Sequence, residues 1–295
     1  MFDQAPIATS PRALQQSDGF AQALGSLSTP PLRLDDGTLV LRQKFGPLPL
    51  RMIVRPDAKT PQEMRALLRQ LPGRAPIIIS PEHPMPLDTI GAIPLVSPTH
   101  TATLDLSLSL TNIRAGFHQK WRNRLVHAEK QDLRIKRQNM PDDPGHWLLE
   151  ADRAQQLKRG YRNWPDALTL AFARENRGDA KLFTAFWGRL PIAGILILKH
   201  GDAATYHIGH MKPSAVSSSA NNLLIWNAIT WAKSKSIVSL ELGTITTEDA
   251  PGLARFKLGT GAISRALGGT WLWWPPVTSI LRPAARFDKR LMQLV

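Results

Sequence analysis

Apolar and polar positions first fall into a regular pattern at Thr38. TLVLRQKFG and PLRMIVRP read as two strands joined by a Gly-Pro turn, because apolar and basic side chains partly alternate on either side of it. Pro61 opens a short helix through Leu71, since Pro is tolerated in a first helical turn, and PGRAPIIIS follows as a buried strand. A Pro-rich passage, SPEHPMP and then IPLVSP, leads to TATLDLSLSL, where Leu alternates with Asp and Ser as in a strand. Residues 1–35 are rich in Ser, Gln, Pro and Ala without a period, and loose order is expected there. The pattern thus divides the chain into a loosely ordered segment (1–35), a small N-terminal lobe (36–100), a larger domain (101–276) and a closing basic amphipathic helix (277–295).

The larger domain alternates helices and strands. Ile113, Phe117, Trp121, Leu125 and Ala128 recur at helical spacing, which predicts one helix over 112–131 with a buried stripe and a basic remaining face. RIKRQ then reads as a strand. Helices over 145–161 and 165–174 follow, then the strands LFTAFWG, LPIAGILILKH and AATYHIGHM. A second amphipathic helix over 221–233 turns Leu224, Ile225, Ala228 and Ile229 to the core. IVSLELG is a buried strand, and TWLWWPP is a last strand stopped by two prolines. The predicted fold class is α/β (α+β), a mixed sheet flanked by helices with a smaller N-terminal α/β lobe.

Charge narrows the range of partners. The 295 residues carry a formal net charge of +14, which favours an anionic partner: nucleic acid, a phosphorylated substrate or an acidic membrane surface. The absence of cysteine excludes disulfides, thiolate nucleophiles and thiolate metal sites. The N-terminus has no apolar core of signal-peptide length, and no run approaches the ~20 apolar residues of a membrane span. A cytoplasmic location is expected, with peripheral contact at the inner membrane face as its variant.

The tetrapeptide HIGH in TYHIGHMKPS, followed by KSKS at Lys233–Ser236, evokes the two nucleotide signatures of class I aminoacyl-tRNA synthetases. In those enzymes the His-Ile-Gly-His signature lies early, at a strand-to-helix junction, with the lysine loop far downstream, and here HIGH falls late, inside a strand. The match is read as coincidence. His207 and His210, three apart, point to opposite faces of a regular strand, so they do not make a metal pair and no metal is expected.

Three stretches carry more. Lys120–Gln138, KWRNRLVHAEKQDLRIKRQ, sets seven Lys or Arg against two acids; a solvated helix face is the plain alternative to a phosphate-binding one. Ser217–Ile237 places small hydroxyl and amide residues before a helix, where backbone N–H groups meet an anion or where the side chains simply cap. Glu241–Ala262 runs from a strand end through a polar loop into Gly-Leu-x-x-Phe-Lys and Gly-rich sequence, holding a lysine suited to phosphate or oxyanion charge.

In this order the three stretches resemble the FemAB-type transferases, a branch of the GNAT-like acyltransferases that includes aminoacyl-tRNA-dependent enzymes building peptidoglycan cross-bridges. The family's Lys-x-Arg…Ala-Glu-Lys helix end is matched by Lys120, Arg122, Ala128, Glu129 and Lys130, and its Gly-Leu-x-x-Phe-Lys signature by Gly252, Leu253, Phe256 and Lys257. The small-residue segment and helix resemble Ser217–Trp231, and the likeness spans about 101–274. The small N-terminal lobe departs from the family's two full domains, and its helical arm is not evident.

The resemblance implies transfer of an aminoacyl group from aminoacyl-tRNA to an amine-bearing acceptor, without a cofactor. It assigns Lys257 to the leaving group or oxyanion and Phe256 to the floor of the site. His207 or Glu241 is the candidate proton acceptor. Thr244, His210, Ser218, Asn221 and Asn222 are candidate substrate-binding residues, and Lys120, Arg122, Arg124, Lys130 and Lys212 face the polyanionic donor. The Arg/Gln-x-x-Gly-x-Gly/Ala pyrophosphate loop of acetyl-CoA-dependent GNAT enzymes is missing, which favours charged tRNA over acyl-CoA; an acyl-CoA or acyl-carrier donor is the alternative. A non-catalytic RNA-binding module is a further alternative. Contact with an anionic membrane is a last one, through Trp271, Trp273 and Trp274 followed by Arg282, Arg286, Lys289 and Arg290.

Overall fold

The computed structural model describes residues 11–57, 60–248 and 250–277. A 3-10 turn at Leu14–Gln16 precedes α1 (Asp18–Ser26), capped by the Ser17 hydroxyl, which accepts from Phe20 N. There follow β1 (Leu32–Arg33), β2 (Leu39–Phe45), β3 (Leu48–Val54), α2 (Pro61–Gln70) and β4 (Ile77–Ser80). Thr60 and Glu63 form a reciprocal capping box at the start of α2, with Pro61 in its first turn. After β5 (Ile93–Val96) come β6 (His100–Asp105), α3 (Leu110–Ala115), α4 (Gln119–Glu129), β7 (Leu133–Asn139), α5 (Trp147–Arg159) and α6 (Asp166–Glu175). The chain continues through β8 (Ala180–Trp187), β9 (Leu190–His200), β10 (Ala203–Met211), a 3-10 turn at Pro213–Ser218, and α7 (Ala220–Ser234). It ends in β11 (Ser239–Ile245), α8 (Pro251–Leu258), β12 (Ile263–Ala266) and β13 (Thr270–Trp273).

Two mixed sheets result. The first has the order β1-β2-β3-β4-β13-β5, and the second β12-β6-β11-β10-β9-β8-β7. The helix crossovers β3-α2-β4 and β10-α7-β11 join parallel pairs; the other described pairs are antiparallel. Strand β9 carries an almost unbroken apolar run because both its faces are covered. On one face Ile195 and Ile197 pack with Leu125 of α4 and Leu224 and Ile225 of α7. On the other, Leu196 and Leu198 pack with Phe20 of α1, Leu149 of α5 and Phe172 of α6. A third cluster joins α2 to the first sheet through Ile53, Met64, Leu68 and Ile79.

The structure departs from the sequence pattern at four points. Residues 11–35 are not loosely ordered: Leu14, Phe20 and Ala23 are core residues, and Asn176 Nδ2 donates to Gly19 O at 3.0 Å, tying α1 to the end of α6. The helix predicted over 112–131 is two helices, broken at Gly116-Phe117-His118, where His118 N donates to Gly259 O. The Gly-Leu-x-x-Phe-Lys stretch after the polar loop, to which the sequence pattern assigns no element, is helix α8. The last strand does not extend the larger sheet, since β13 inserts between β4 and β5 of the first. That insertion packs Trp271 and Trp273 against the third core cluster and lets Trp274 Nε1 donate to Arg74 O, so these indoles are half-buried packing groups. Nearly all of the basic helix expected over 277–295 lies outside the described residues.

Candidate active site

Strands β10 and β11 are hydrogen-bonded neighbours for only three register pairs, Ala203↔Ser239, Ala204↔Leu240 and Thr205↔Glu241. Each then bends. A bulge between Tyr206 and Ile208 turns β10 relative to β9, and one between Glu241 and Gly243 turns β11 relative to β6, with Gly243 at φ +81°. From there to Met211 and Ile245 the two parallel strands run on with no ladder between them, which opens a cleft with polar backbone on both walls.

Helix α8 aims a lysine at this cleft. Lys257 is only 7% exposed; its Nζ donates to Thr244 O at 2.8 Å and stands 3.4 Å from the point where a side chain on Gly243 would begin. Burial pulls its pKa down to about 8, against the opposing charge of Glu241. Phe256, next to it, packs on Trp121 of α4 with ring centroids 6.1 Å apart. Gly259 has no room for a side chain, as Trp121 Cδ1 would lie 2.8 Å from its Cβ. The two stretches with the most distinctive sequence, KWRNR and GLARFKLG, therefore build one corner together.

The start of α7 faces the same side of the sheet as α4, and His127 Nε2 at the end of α4 contacts Ser217 O at 3.0 Å. Ser218 is buried and donates to Ala215 O. Asn221 Oδ1 and Asn222 Nδ2 are buried without a protein partner, as is His210 Nδ1 near the end of β10. Unsatisfied polar atoms of this kind are uncommon in interiors, and a bound polar ligand satisfies them. Lys120, Arg124, Lys130 and Lys212 are exposed, while Arg122 donates to Ala115 O at 3.0 Å. The motif's Glu129 is engaged by Arg114 through two 2.7 Å bonds.

Both sequence candidates for proton acceptor are committed elsewhere. The His207 ring is held by Thr169 Oγ1 at 2.8 Å and lies 4.8 Å from the Trp164 ring; burial among these groups pushes its pKa to about 4. Glu241 points away from the α7 side, where Arg55 grips both its oxygens at 2.7 and 2.5 Å. His210 is also shifted down, by burial first and then by Lys212.

Sequence reasoning missed Tyr206, whose phenol folds over Gly209 so closely that a side chain there has no space. Burial raises its pKa. The only signal was the Tyr-x-x-Gly spacing, which gains its meaning from the bulge. Sequence reasoning also missed Arg55 and Glu82, both remote in sequence from Glu241. HIGH itself is mid-strand: Ile208 is core and Gly209 is a space for Tyr206. Among the described residues no group of three or more His, Asp or Glu side chains is placed to hold a metal, and no helix is long and apolar enough to cross a membrane.

Residues 115–258, from the end of α3 through α8, match the family model described as acetyltransferase (GNAT) domain. Those residues form a GNAT-type acyltransferase domain. Among solved structures, that of FemX superposes with a TM-score of 0.72 at 14% identity, over 92% of this chain and 95% of that one. The C-terminal domain of a putative lysylphosphatidylglycerol synthetase from Agrobacterium fabrum gives 0.55 at 13% identity, with 92% of each chain covered. L-PGS from Bacillus licheniformis gives 0.53 at 15%, with 94% of each covered. At these identities the likeness is one of fold. No curated protein matches the chain. The GNAT-like domain has the splayed pair β10/β11 at its centre and Lys257 at the end of the matched segment.

Proposed function

We propose that this acyltransferase moves an aminoacyl group from aminoacyl-tRNA to an amine-bearing acceptor. The observation that carries the donor choice is the link between β10 and α7. A coenzyme A pyrophosphate needs a run of free backbone N–H groups. Here that link is a closed 3-10 turn opened by Pro213, in which Ala215 N donates to Lys212 O, Ser219 N to Val216 O and Asn222 N to Ser219 O. The exposed cations of α4, with Lys212 on the same side, offer instead a broad surface for a polyphosphate backbone.

In this reading the acceptor amine attacks the ester carbonyl held in the cleft. The C–N bond forms, the bond from the carbonyl carbon to the tRNA ribose oxygen breaks, and the proton lost by the amine ends on that oxygen. The Lys257 ammonium, fixed by Thr244 O, faces the developing negative charge, with Phe256 flooring the site. Asn221, Asn222 and His210 orient the polar ends of the substrates, and Lys120, Arg122, Arg124, Lys130 and Lys212 hold the donor. Because the cationic form of Lys257 acts, the rate falls as pH rises through about 8.

The second reading, an acyl-CoA donor, is favoured by the acetyltransferase description of the matched family. Single-turnover transfer from a labelled charged-tRNA pool, run beside labelled acyl-CoA, separates the two. With charged tRNA, Lys257→Ala is expected to lower the rate about 100-fold or more. Turnover of acyl-CoA with no response to tRNA replaces the first reading by the second.

A further inference from the structure

One end of the larger sheet carries large apolar side chains in open solvent. The β8–β9 hairpin turns at Trp187-Gly188-Arg189-Leu190, leaving Trp187 51% and Leu190 68% exposed. Register fixes the neighbours. Leu133, at the start of edge strand β7, lies opposite Trp187, and Arg134 caps the Phe186 ring at 4.6 Å. On the other side Lys212 N donates to Ile192 O, which brings the Pro213–Ser218 turn, with Val216 60% exposed, beside the start of β9. The His127–Ser217 contact adds the last turn of α4, ending at Lys130.

The resulting rim mixes Trp187, Leu190 and Val216 with exposed Arg134 and Arg189, beside the Lys130 and Lys212 assigned to the donor. Asp132 is the acid exposed beside them just before β7, while Glu129 is held by Arg114. It is also the end at which β10 runs out, past the point where the β10/β11 cleft has opened.

We propose that this rim docks on an anionic lipid bilayer, with the hairpin tip inserted at the headgroup level. Trp at an interface, aliphatic side chains just below it and Arg or Lys around them is the combination an acidic membrane surface recognises. RNA fits less well, because of the three apolar side chains only Trp187 offers a ring on which a base stacks, while Leu190 and Val216 offer none. Docking there sets the cleft mouth against the membrane, within reach of an acceptor amine on a lipid or lipid-linked molecule. The proposal does not rest on the identity of the donor.

Co-sedimentation of the full chain with extruded vesicles tests it, comparing phosphatidylcholine alone with phosphatidylcholine plus phosphatidylglycerol. Binding is expected with the anionic vesicles only. The Trp187→Ser/Leu190→Ser double variant and Arg189→Glu are each expected to weaken it about 10-fold, whereas Leu157→Ser, on the exposed side of α5, leaves it unchanged. Absence of binding to anionic vesicles overturns the proposal, as does binding that both tip variants leave intact. Two further results assign the rim to another partner and equally overturn it: a double variant that dissociates a dimer in sedimentation velocity, or one that loses only charged-tRNA retention.

Discussion

Lys257 is held where its charge is costly. A pKa of about 8 in the fold, against 10.5 ordinarily, means that the native state resists protonating this amine. At roughly 1.4 kcal/mol per pKa unit, the ammonium costs the fold about 3 kcal/mol at neutral pH. The sign follows from proton counting: below pH 8 both states carry the proton and the cost is complete. Between about 8 and 10.5 the folded state releases it first, so the cost fades and stability rises with pH. Lys257→Met keeps the length and removes the charge, although Thr244 O loses its donor. The variant is therefore expected to be more stable than wild type by about 1–3 kcal/mol at pH 7. That advantage should shrink toward pH 10, while transfer is lost at every pH. Urea unfolding of both proteins at pH 7 and pH 10 is the measurement. A less stable variant at pH 7 makes the lysine a packing residue and removes the reason for reading it as functional.

At the scale of elements, the site depends on how α8 is seated on the α3–α4 corner. His118 N bonds Gly259 O, Trp121 lies against Gly259, and Gly261 at φ +79° passes so near Gly116 O that a side chain would meet it at 2.9 Å. Adding a methyl at Gly259 brings it against both Trp121 and Arg255 O, and the helix carrying Lys257 has to shift. Gly259→Ala is expected to cost about 1–3 kcal/mol and to lower transfer further than that loss of stability explains. Gly252→Ala, on the same helix but with open space around it, should leave activity intact and raise stability by up to about 1 kcal/mol. Chemical unfolding together with single-turnover rates decides; equal effects at the two glycines contradict the seating argument. The seating was half legible in the sequence. The apolar stripe Ile113-Phe117-Trp121-Leu125 showed which face is buried, and Gly-Leu-x-x-Phe-Lys showed which lysine matters. The break at Gly116 was invisible because the stripe runs through it without losing phase. Helix α8 was hidden too, since eight residues opened by Pro-Gly and followed by Gly-Thr-Gly show no helical period of their own until Trp121 is packed against them. Short strands such as β5 and β12 carry too few positions for an alternation to stand out, and only pairing with β13 and β6 defines them.

Across the whole molecule the two sheets meet through buried charge. Arg55, just past β3, donates to Glu82 on the first lobe at 2.5 and 3.0 Å and to Glu241 on β11, while Arg265 on β12 reaches Glu82 Oε1 at 2.5 Å. None of these pairings is written in local sequence, since Arg55 and Glu241 stand 186 positions apart. Arg55 adopts φ +53°, unusual for a side-chain-bearing residue, and the network over-determines that conformation. Burial works against ionising Glu82, but the hydrogen bonds and charge of Arg55 and Arg265 win and hold its carboxyl below the usual range. That pairing therefore stabilises the fold above pH 4.5 and is lost as pH falls below it. The two acids are not equally protected. Removing Arg55 leaves Glu82 with Arg265 but takes from Glu241 the cation that grips both its oxygens. Arg55→Ala is expected to cost about 3–5 kcal/mol, because an uncompensated buried carboxylate is worse than no pair. Neutralising that carboxylate should recover part of the loss, so Arg55→Ala/Glu241→Gln is expected to be more stable than Arg55→Ala by about 1–3 kcal/mol, although Glu241→Gln alone destabilises. A double variant as unstable as the sum of its parts contradicts the coupling. Recovery confined to Glu241→Gln, with none from Glu82→Gln on the same background, locates the junction between lobes at the strand whose other end opens the cleft.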